Sequence, residues 1–454
     1  MRKSSKERRI NLRLPAPAFV EIEQLMREGK GKLSYNAWVA QAIQEKIERD
    51  RVRETSPIYR NEAQKTFYEF FAGGGMARLG LGKEWGCLFA NDFDPAKARA
   101  YRENWEGGRE LRVEDVNKLA TADLPGTADL VWASFPCQDL SLAGKYAGIG
   151  NQSDHVQTRS GTFWPFWRLM DSLADEGRKP KVIVLENVYG ALTSNQSKDF
   201  AAIGSAFVKS GYKFGAVVID AKWFVPQSRP RVFIVGVQAD LAIQPELISD
   251  QPAEPWHVAA LQSAYMQLSE YAKKQWVWWA LPKPKQRRQI FADVIEETPE
   301  GVDWHTPSET KRLLAMMTPV NLKKVEQAKR SGIRFVGGVY RRTRNNEHGE
   351  KVQRAEVRFD DIAGCLRTPS GGSSRQLILV IEKDRIRSRL LSPREAARLM
   401  GLPDSYKLPK NYNEAYHLCG DGVVAPAVRH LTHHLLNALI ENNRAETLLS
   451  QRVA

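Results

Sequence analysis

The chain of 454 residues is 42% hydrophobic and 26% charged, which is the balance of an ordinary globular protein and excludes a disordered or collagen-like chain. It contains no apolar run of about 18 residues, so no membrane span is expected. The basic N-terminus is not followed by the apolar stretch of a secretory signal. The sequence therefore predicts a cytoplasmic protein with about two or three domains.

The net charge of +14 predicts a polyanionic partner, with nucleic acid as the leading candidate. Two segments carry most of the excess. Residues 1–65 hold 15 Lys/Arg and 9 Asp/Glu, and residues 323–358 hold 11 and 4. The alternative interpretation is a solvated surface that only keeps the protein soluble.

Residues 1–55 are predicted to form a small N-terminal module and a linker. Apolar and polar residues alternate over 10–14 with the period of a strand, and two helical patterns follow. This order resembles the ribbon-helix-helix DNA-binding module, which pairs strands of two chains in the major groove. The resemblance implies a homodimer in which Arg9, Asn11 and Arg13 contact DNA. A basic extension that packs on the main domain is the alternative.

Residues 66–240 alternate apolar strands with helical stretches, which predicts βαβ units around a parallel sheet and an α/β fold class. Residues 241–365 are less regular and richer in Lys, Arg, Trp and Gln, and they are predicted to form an inserted domain. Residues 366–454 add two helical stretches. The predicted strands cover 66–71, 87–92, 128–134, 181–187, 214–220 and 232–237.

Polar positions at the ends of the first strands predict a site for a nucleoside. The first strand leads into a glycine-rich turn that includes Phe71, Gly73 and Gly75, where the backbone can approach a ligand closely. Asp92 and Asp115 follow the next two segments, and a carboxylate there can hold ribose hydroxyls. Each feature taken alone also fits a structural turn or a surface carboxylate.

Candidate catalytic residues follow the next strands. Cys137 comes directly after the apolar strand ADLVWAS, at the edge where α/β sheets hold their ligands. Pro136 and the polar loop after the cysteine favour an exposed nucleophile over a buried thiol. Glu186 ends the buried strand KVIVLEN, where a carboxylate is costly unless it is hydrogen-bonded or functional. Arg229 and Arg231 add two guanidinium groups before the next strand.

In this order, the segments resemble the DNA cytosine-5 methyltransferase family. The match includes the glycine-rich turn, NDFD, FPCQ, ENV and QSRPR, and near the C-terminus LSPREAARLMGLPDSY and CGDGVV. The DPPY or NPPY segment of amino-methyltransferases is absent. The resemblance implies a Rossmann-like, S-adenosylmethionine-dependent catalytic domain in residues 66–240 and 366–454, with a target-recognition domain inserted at 241–365.

The resemblance also implies the roles of the catalytic residues. The Cys137 thiolate would add to carbon 6 of a flipped-out cytosine, because carbon 5 alone is too weak a nucleophile to accept a methyl group. Glu186 would hold or protonate ring N3, and Arg229 and Arg231 would bind the base and its O2. Residues 138–152 would form a lid over the base.

The implied cofactor is S-adenosylmethionine. Asp92 would hold its ribose, Phe93 would stack near its adenine and Asp115 would lie toward the adenine amino group. The cofactor-binding residues implied by the resemblance are Phe71, Gly73, Gly75, Asp92, Phe93, Asp115, Pro136, Asp421 and Val423.

Three positions on the cofactor side depart from the pattern of the family. Glu69 stands where Asp is usual, Met76 stands where a further glycine is common, and Asp421-Gly422 replaces Asn and a small residue. The residues on the cytosine side are intact. Catalytic activity is therefore expected.

Basic residues of the lid and the insert are expected to contact DNA, since Lys and Arg bind phosphates and Arg can also bind guanine. The predicted DNA-binding residues outside the N-terminal module are Ser141, Lys145, Arg341, Arg342 and Arg344. Trp276, Trp278 and Trp279 of the insert are interpreted as core residues rather than as a stacking platform.

No metal site is expected. The four cysteines form no CxxC pair. His430, His433 and His434 share a helix face, but no Cys or carboxylate stands at ligand spacing from them.

The predicted function is methylation of cytosine C5 in a specific duplex DNA sequence. Membership in a restriction-modification or orphan system of bacteria or phages is expected, with an N-terminal module that could regulate the protein's own promoter. Two alternatives stay open: a tRNA cytosine-5 methyltransferase that uses the same chemistry, and a catalytically silent DNA-binding regulator.

Overall fold

The computed structural model describes residues 64–136, 162–345, 349–368 and 375–441. The predicted N-terminal module, with Arg9, Asn11 and Arg13, lies outside these residues. Within the described part of the chain, no helix is long and apolar enough to cross a membrane.

A seven-stranded sheet forms the centre of the described structure, in the order β3-β2-β1-β4-β5-β7-β6. Strands β1 to β5 run parallel, whereas β7 runs antiparallel to both of its neighbours. The strands are β1 (Lys65–Phe70), β2 (Trp85–Asp92), β3 (Leu111–Val113), β4 (Leu130–Ala133), β5 (Val182–Val188), β6 (Tyr212–Asp220) and β7 (Pro230–Gln238). The predicted α/β fold class is confirmed.

The central strands are apolar because helices cover both faces of the sheet. In β4, Trp132 packs on one face in a core that includes Met76 and Leu431, and Val131 packs on the other face against Phe166. The helices of the described residues are α1 (Met76–Leu81), α2 (Pro95–Asn104), α3 (Phe163–Asp175), α4 (Lys198–Lys209), α5 (Ala259–Met266), α6 (Glu270–Lys274), α7 (Pro307–Ala315), α8 (Pro319–Arg330), α9 (Pro393–Leu399), α10 (Tyr412–Asp421) and α11 (Ala425–Leu431).

Residues 335–390 contain a four-stranded antiparallel sheet in the order β11-β10-β12-β13. Leu313 of α7 and Val325 of α8 pack on this sheet in a separate core. The strands are β10 (Phe335–Asn345), β11 (Lys351–Arg358), β12 (Leu377–Glu382) and β13 (Arg385–Leu390), and a short pair, β8 (Ile248–Ser249) with β9 (Trp278–Trp279), precedes them. The predicted boundary between 365 and 366 falls between β11 and β12.

The aromatic cluster of the insert packs on the main sheet. Trp279 is fully buried, and the Trp276 ring meets the Phe214 ring with centroids 5.1 Å apart. His430 packs against Trp256, 5.6 Å between ring centroids, in a buried aromatic contact. Within the residues described, no group of three or more His, Cys, Asp or Glu side chains could hold a metal ion.

Candidate active site at the carboxyl edge of the sheet

The order of the strands reverses between β1 and β4, and open α/β sheets bind ligands outside the carboxyl ends of strands at such a point. The predicted site residues lie at or just after the ends of β1, β2, β3, β4 and β5 at this edge, together with the start of the antiparallel β7. The cytosine side and the cofactor side of the predicted site are described in turn.

Glu186 and Arg231 form the centre of the cytosine side. Glu186 is 6% exposed, and its Oε1 lies 3.3 Å from Nε of Arg231. The register pairs Val188 with Arg231, so the Glu186 and Arg231 side chains share one face of the sheet. Burial raises the pKa of Glu186, while the charges of Arg231 and Arg229 and a hydrogen bond with Ser134 oppose the shift. The carboxyl group therefore takes up a proton more readily than an exposed glutamate.

The Arg229 guanidinium group is buried and points at the backbone of two other segments. Nη1 donates to the Leu366 carbonyl at 2.9 Å, and Nη2 donates to the carbonyls of Gly420 and Gly422 at 2.7 Å each. Nη1 also lies 3.4 Å from Sγ of Cys365. The planar fork of donors on an arginine suits such contacts with several acceptors. Arg229 thus ties the start of β7 to the C-terminal part of the chain.

Residues 137–161 lie outside the described part of the chain, and they include the predicted Cys137, Ser141 and Lys145. The strand end that leads to them is described. Asn187 Nδ2 donates to the Phe135 carbonyl at 3.2 Å, and both residues are buried. Pro136, half-buried, is the last described residue before the cysteine. Asn187 thus fixes the backbone at Phe135, two residues before the predicted nucleophile Cys137.

On the cofactor side, the turn after β1 has an unusual backbone. Phe71, Gly73 and Gly75 have φ angles of 56°, 57° and 76°. Left-handed backbone is uncommon for a bulky residue such as Phe71, and such strain clusters at functional sites. A Cβ added to Gly73 would meet no atom within 4 Å. The turn therefore leaves open space beside Gly73.

Asp92 faces the same turn from the end of β2. Its Oδ2 accepts a hydrogen bond from the Gly73 N–H at 2.8 Å, and its Oδ1 accepts one from the Asp94 N–H at 2.9 Å. Burial raises the pKa of Asp92, and the charge of Lys97 opposes the shift. Phe93 is 66% exposed, so one aromatic face is open to stacking. This set of groups fits a nucleoside, because ribose hydroxyls can donate to the remaining lone pairs of the carboxylate.

The C-terminal segment completes this side. Tyr406 donates its hydroxyl to the Gly74 carbonyl at 2.7 Å, and Val423 is buried in the core beside the turn. A Cβ added to Gly422 would lie 2.2 Å from Sδ of Met76. Two departures from the family pattern therefore touch each other, because the missing side chain of Gly422 makes room for Met76.

Two predicted cofactor carboxylates have different surroundings. Asp421 is engaged within the chain: its Oδ1 accepts a hydrogen bond from Thr368 Oγ1, and its Oδ2 lies 2.7 Å from Nζ of Lys97. Asp115 is exposed, and its Oδ1 accepts a hydrogen bond from the Asn117 N–H at 2.9 Å. Asp115 therefore stays accessible to a ligand, whereas Asp421 is bound to its neighbours.

Several residues of the site have no signal in the sequence strong enough to identify their role. Asn187 and Ser134 stand inside motifs, but their partners belong to a neighbouring strand. Cys365 and Thr368 lie in an irregular stretch. Lys97 lies on α2, where a lysine is usually a solvated surface residue.

Arg341, Arg342 and Arg344 lie on β10, outside the sheet edge that holds the other predicted residues. Strand β12 pairs only with Phe335–Val339 of β10, whereas β11 pairs onward to Asn345. Within the described residues, the outer part of β10 and β11 thus forms a two-stranded ribbon.

Comparisons with known proteins agree with this geometry. The model of the C-5 cytosine-specific DNA methylase family matches residues 65–437. The type II methyltransferase M.HhaI of Haemophilus parahaemolyticus is 24% identical over 377 residues, covering 82% of this chain and 94% of the relative. M.HpaII, a type II methyltransferase of Haemophilus parainfluenzae, is 25% identical over 394 residues, covering 82% and 90%.

Two solved structures share the fold. A mutant of the Spodoptera frugiperda DNMT2 matches with a TM-score of 0.53 and 16% identity, over 83% of this chain and 100% of its own. The Entamoeba histolytica methyltransferase EhMeth matches with a TM-score of 0.53 and 14% identity, over 84% and 98%. The family match covers most of the chain and includes both sides of the site. The chain belongs to the C-5 cytosine-specific DNA methylase family, whose members take the methyl group from S-adenosylmethionine.

Proposed function

We propose that the protein methylates carbon 5 of a flipped-out cytosine within one specific duplex DNA sequence. The observation that carries this proposal is the ion pair of buried Glu186 with Arg231, at 3.3 Å. The neighbouring Asn187 binds the backbone of Phe135, shortly before Cys137 in the sequence. A protonatable carboxyl group beside a guanidinium group matches the N3 and O2 positions of cytosine, which are neighbours on the ring.

In the proposed reaction, the Cys137 thiolate attacks carbon 6, and the electron pair of the 5,6 double bond moves to carbon 5. Glu186 holds a proton at N3, and Arg231 binds O2, so that both groups stabilise the negative charge that develops on the ring. S-adenosylmethionine, when bound, supplies the methyl group to carbon 5. Loss of the carbon 5 proton to water and departure of the Cys137 thiolate then restore the 5,6 double bond, and the N3 proton returns to Glu186.

Arg229 has a different proposed role, because its guanidinium group donates to the carbonyls of Leu366, Gly420 and Gly422. We infer that it acts on the base through the segments that it holds in place. Arg231 is then the arginine that contacts the base. Its side chain is partly exposed, and its Nη1 donates to the Pro230 carbonyl of its own strand at 2.9 Å.

We propose that the outer ribbon of β10 and β11 enters the major groove, which is wide enough to admit a two-stranded β-ribbon. The register places Arg342 directly opposite Arg354, and like charges in such a pair repel each other. Glu356 is the carboxylate beside them, 3.7 Å from Arg342 and 3.4 Å from Arg344. Arg342 and Arg344 share this glutamate, and Arg354 lies on the same face, so a polyanionic partner fits this face.

One face of the ribbon concentrates positive charge. This face holds Arg342, Arg344 and Arg354, and it continues inward to Tyr340. Tyr340 packs so closely on Gly364 that a Cβ added there would lie 1.9 Å from its hydroxyl. Gly364 precedes Cys365, which contacts Arg229. This arginine face therefore connects with the cytosine side of the site, which supports base recognition next to the flipped cytosine.

The proposed function is tested by mapping methylated cytosines, at base resolution, in DNA from cells that express the wild type or Cys137→Ala. The expected result is C5 methylation at one short motif in the wild type and none in the variant. Cys87→Ala is the matched control, since this thiol is half-buried outside the site, and it should keep the pattern. Methylation that persists in Cys137→Ala would contradict the proposed mechanism.

Purified protein separates the remaining alternatives. Methyl transfer to duplex DNA but not to tRNA is expected, because the ribbon fits the wide major groove of DNA and not the deep, narrow one of RNA. Transfer to tRNA alone would favour the RNA methyltransferase. A folded protein that binds DNA and methylates neither substrate would favour the silent regulator.

We also propose that the N-terminal residues 1–55 form a ribbon-helix-helix module, in which Arg9, Asn11 and Arg13 contact DNA as part of a cytoplasmic homodimer. The support is the alternating pattern over 10–14, which needs a partner strand. Sedimentation of the full chain at micromolar concentration should give a dimer. A monomer would overturn this part of the proposal and leave the catalytic part intact.

A further inference from the structure

Lys97 is a charged residue that lies mostly buried between two segments. Its side chain is 20% exposed, and its Nζ lies 2.7 Å from Oδ2 of Asp421. Asp421 receives a second hydrogen bond, from Thr368 Oγ1 to its Oδ1. The lysine is on α2 and the aspartate is the last residue of α10. The ion pair thus joins the helix that follows Asp92 to the C-terminal segment.

The charge of Lys97 also acts on Asp92, the predicted ribose carboxylate. Burial raises the pKa of Asp92, and the charge of Lys97 is the main influence that lowers it. The negative charge of Asp94 raises it further. Glu69, from β1, is a further carboxyl group that interacts with Asp92. His417, on α10, faces Asp421. Removal of Lys97 would therefore leave a group of carboxylates without the positive charge that balances Asp92 and Asp421.

Arg229, from the cytosine side of the site, also binds the segment that contains Asp421. Arg229 donates to the carbonyls of Gly420 and Gly422, the two residues that flank Asp421. Residues 420–422 are therefore held both by the buried Arg229 and by the half-buried Lys97. An asparagine at 421 would carry no charge, whereas the aspartate, 33% exposed, is held by its ion pair with Lys97.

We propose that Lys97 is a positioning residue of the cofactor site: through its ion pair with Asp421 it fixes residues 420–422 against α2, the helix that follows Asp92. The proposal rests on the cofactor site described above. Lys97 and Asp421 then form a functional pair, in which each residue requires the other. Asp421 serves the cofactor indirectly, by placing its segment.

The test measures binding of S-adenosylhomocysteine to the full chain by calorimetry between about pH 6 and 8.5, where a change in carboxylate ionisation is detectable. The variants are Lys97→Met, Lys97→Arg, Asp421→Asn and the double variant Lys97→Met with Asp421→Asn. The matched control is Arg99→Met, which breaks the exposed pair of Arg99 with Glu414 between the same two helices. Thermal unfolding of every variant is recorded in parallel.

Lys97→Met is expected to weaken binding by about tenfold at pH 7 and more at lower pH, because Asp92 protonates more readily without the lysine charge. Lys97→Arg should stay close to the wild type. The double variant should recover most of the loss, since removal of both charges leaves no unpaired carboxylate at 421. The control should bind like the wild type.

Wild-type affinity and pH dependence in Lys97→Met would overturn the proposal, and so would a double variant as weak as Lys97→Met. A lowered melting temperature with unchanged affinity would assign Lys97 to folding alone and would also overturn it. Failure of the wild type to bind S-adenosylhomocysteine is a different outcome, because it would contradict the cofactor site itself.

Discussion

The arginines of the sheet edge and the arginines of the ribbon have the same chemistry in opposite settings. Arg229 is buried and donates to three backbone carbonyls, whereas Arg342 and Arg344 are exposed and share a single glutamate. The first setting fixes a guanidinium group in one place. The second leaves its donors available to a partner that arrives from solution.

The difference teaches where preorganisation is useful in this molecule. Groups that stabilise developing charge work best when they are already oriented before the reaction. Groups that read DNA must exchange a contact with water or with a neighbouring carboxylate for one with a base or phosphate. Substitutions in the two regions should therefore affect different quantities: stability and catalytic rate at the sheet edge, affinity and sequence preference on the ribbon.

The largest effect is expected for Arg229→Ala. The substitution leaves the carbonyls of Leu366, Gly420 and Gly422 without their donor, at about 1–3 kcal/mol for each buried acceptor that stays unsatisfied. Thermal unfolding should show a large loss of stability, and methyl transfer should disappear. Arg342→Ala on the ribbon is the control. An Arg229→Ala protein with the melting temperature of the wild type would show that the three contacts are dispensable.

Glu186→Gln should leave the fold intact and slow the reaction. The variant keeps the size of the side chain but loses the proton that the carboxyl group shares with the base, and such transfer typically contributes about 10²- to 10⁴-fold. Single-turnover methylation of duplex DNA measures the loss. A rate within a factor of about three of the wild type would argue against contact between Glu186 and N3.

The double substitution Arg342→Ala with Arg344→Ala should weaken specific DNA binding by about 10- to 100-fold without a change in melting temperature. If both side chains contact phosphates, the slope of log affinity against log salt should fall by about two. Titration of labelled DNA at several salt concentrations gives both quantities. Arg99→Ala, an exposed arginine of α2, is the control, and an equal loss there would point to net charge alone.

The smallest effect concerns Glu69, which lies behind the glycine-rich turn. Burial raises the pKa of this carboxyl group to about 8, with partial compensation by Arg78. Between about pH 4.5 and 8, Glu69 is protonated in the folded protein but ionised in the unfolded chain, where its pKa is the ordinary 4.5. The free energy of unfolding therefore falls as pH rises through this range. Melting curves of Glu69→Gln should lack this decline. A decline equal to that of the wild type would assign it to other groups.

Much of the candidate site could be proposed from the sequence because its residues stand at strand ends. Buried parallel strands are apolar throughout, so a Glu, Asn or Asp at the end of one is conspicuous, and the sheet brings successive strand ends together. Glu186 and Asp92 were identifiable in this way. The α/β fold class followed from the same alternation of strands and helices.

The rest could not be predicted, because it depends on contacts between distant segments. Lys97 and Asp421 are more than 300 residues apart in the sequence, and neither has a local pattern that reveals its partner. The different settings of Arg229 and Arg231 also depend on which backbone lies near each guanidinium group. The pairing of β12 with β10 also joins distant segments, and the sequence does not show which strands pair with each other.

The packing of the C-terminal helices against the first turn has a consequence for synthesis of the protein. Gly80 of α1 packs against Val428 so closely that a Cβ there would lie 2.3 Å away, and Tyr406 holds the Gly74 carbonyl. A nascent chain on the ribosome exposes the glycine-rich turn hundreds of residues before these partners exist. The glycine-rich turn can therefore reach its native packing only after Tyr406 and Val428 have been synthesised.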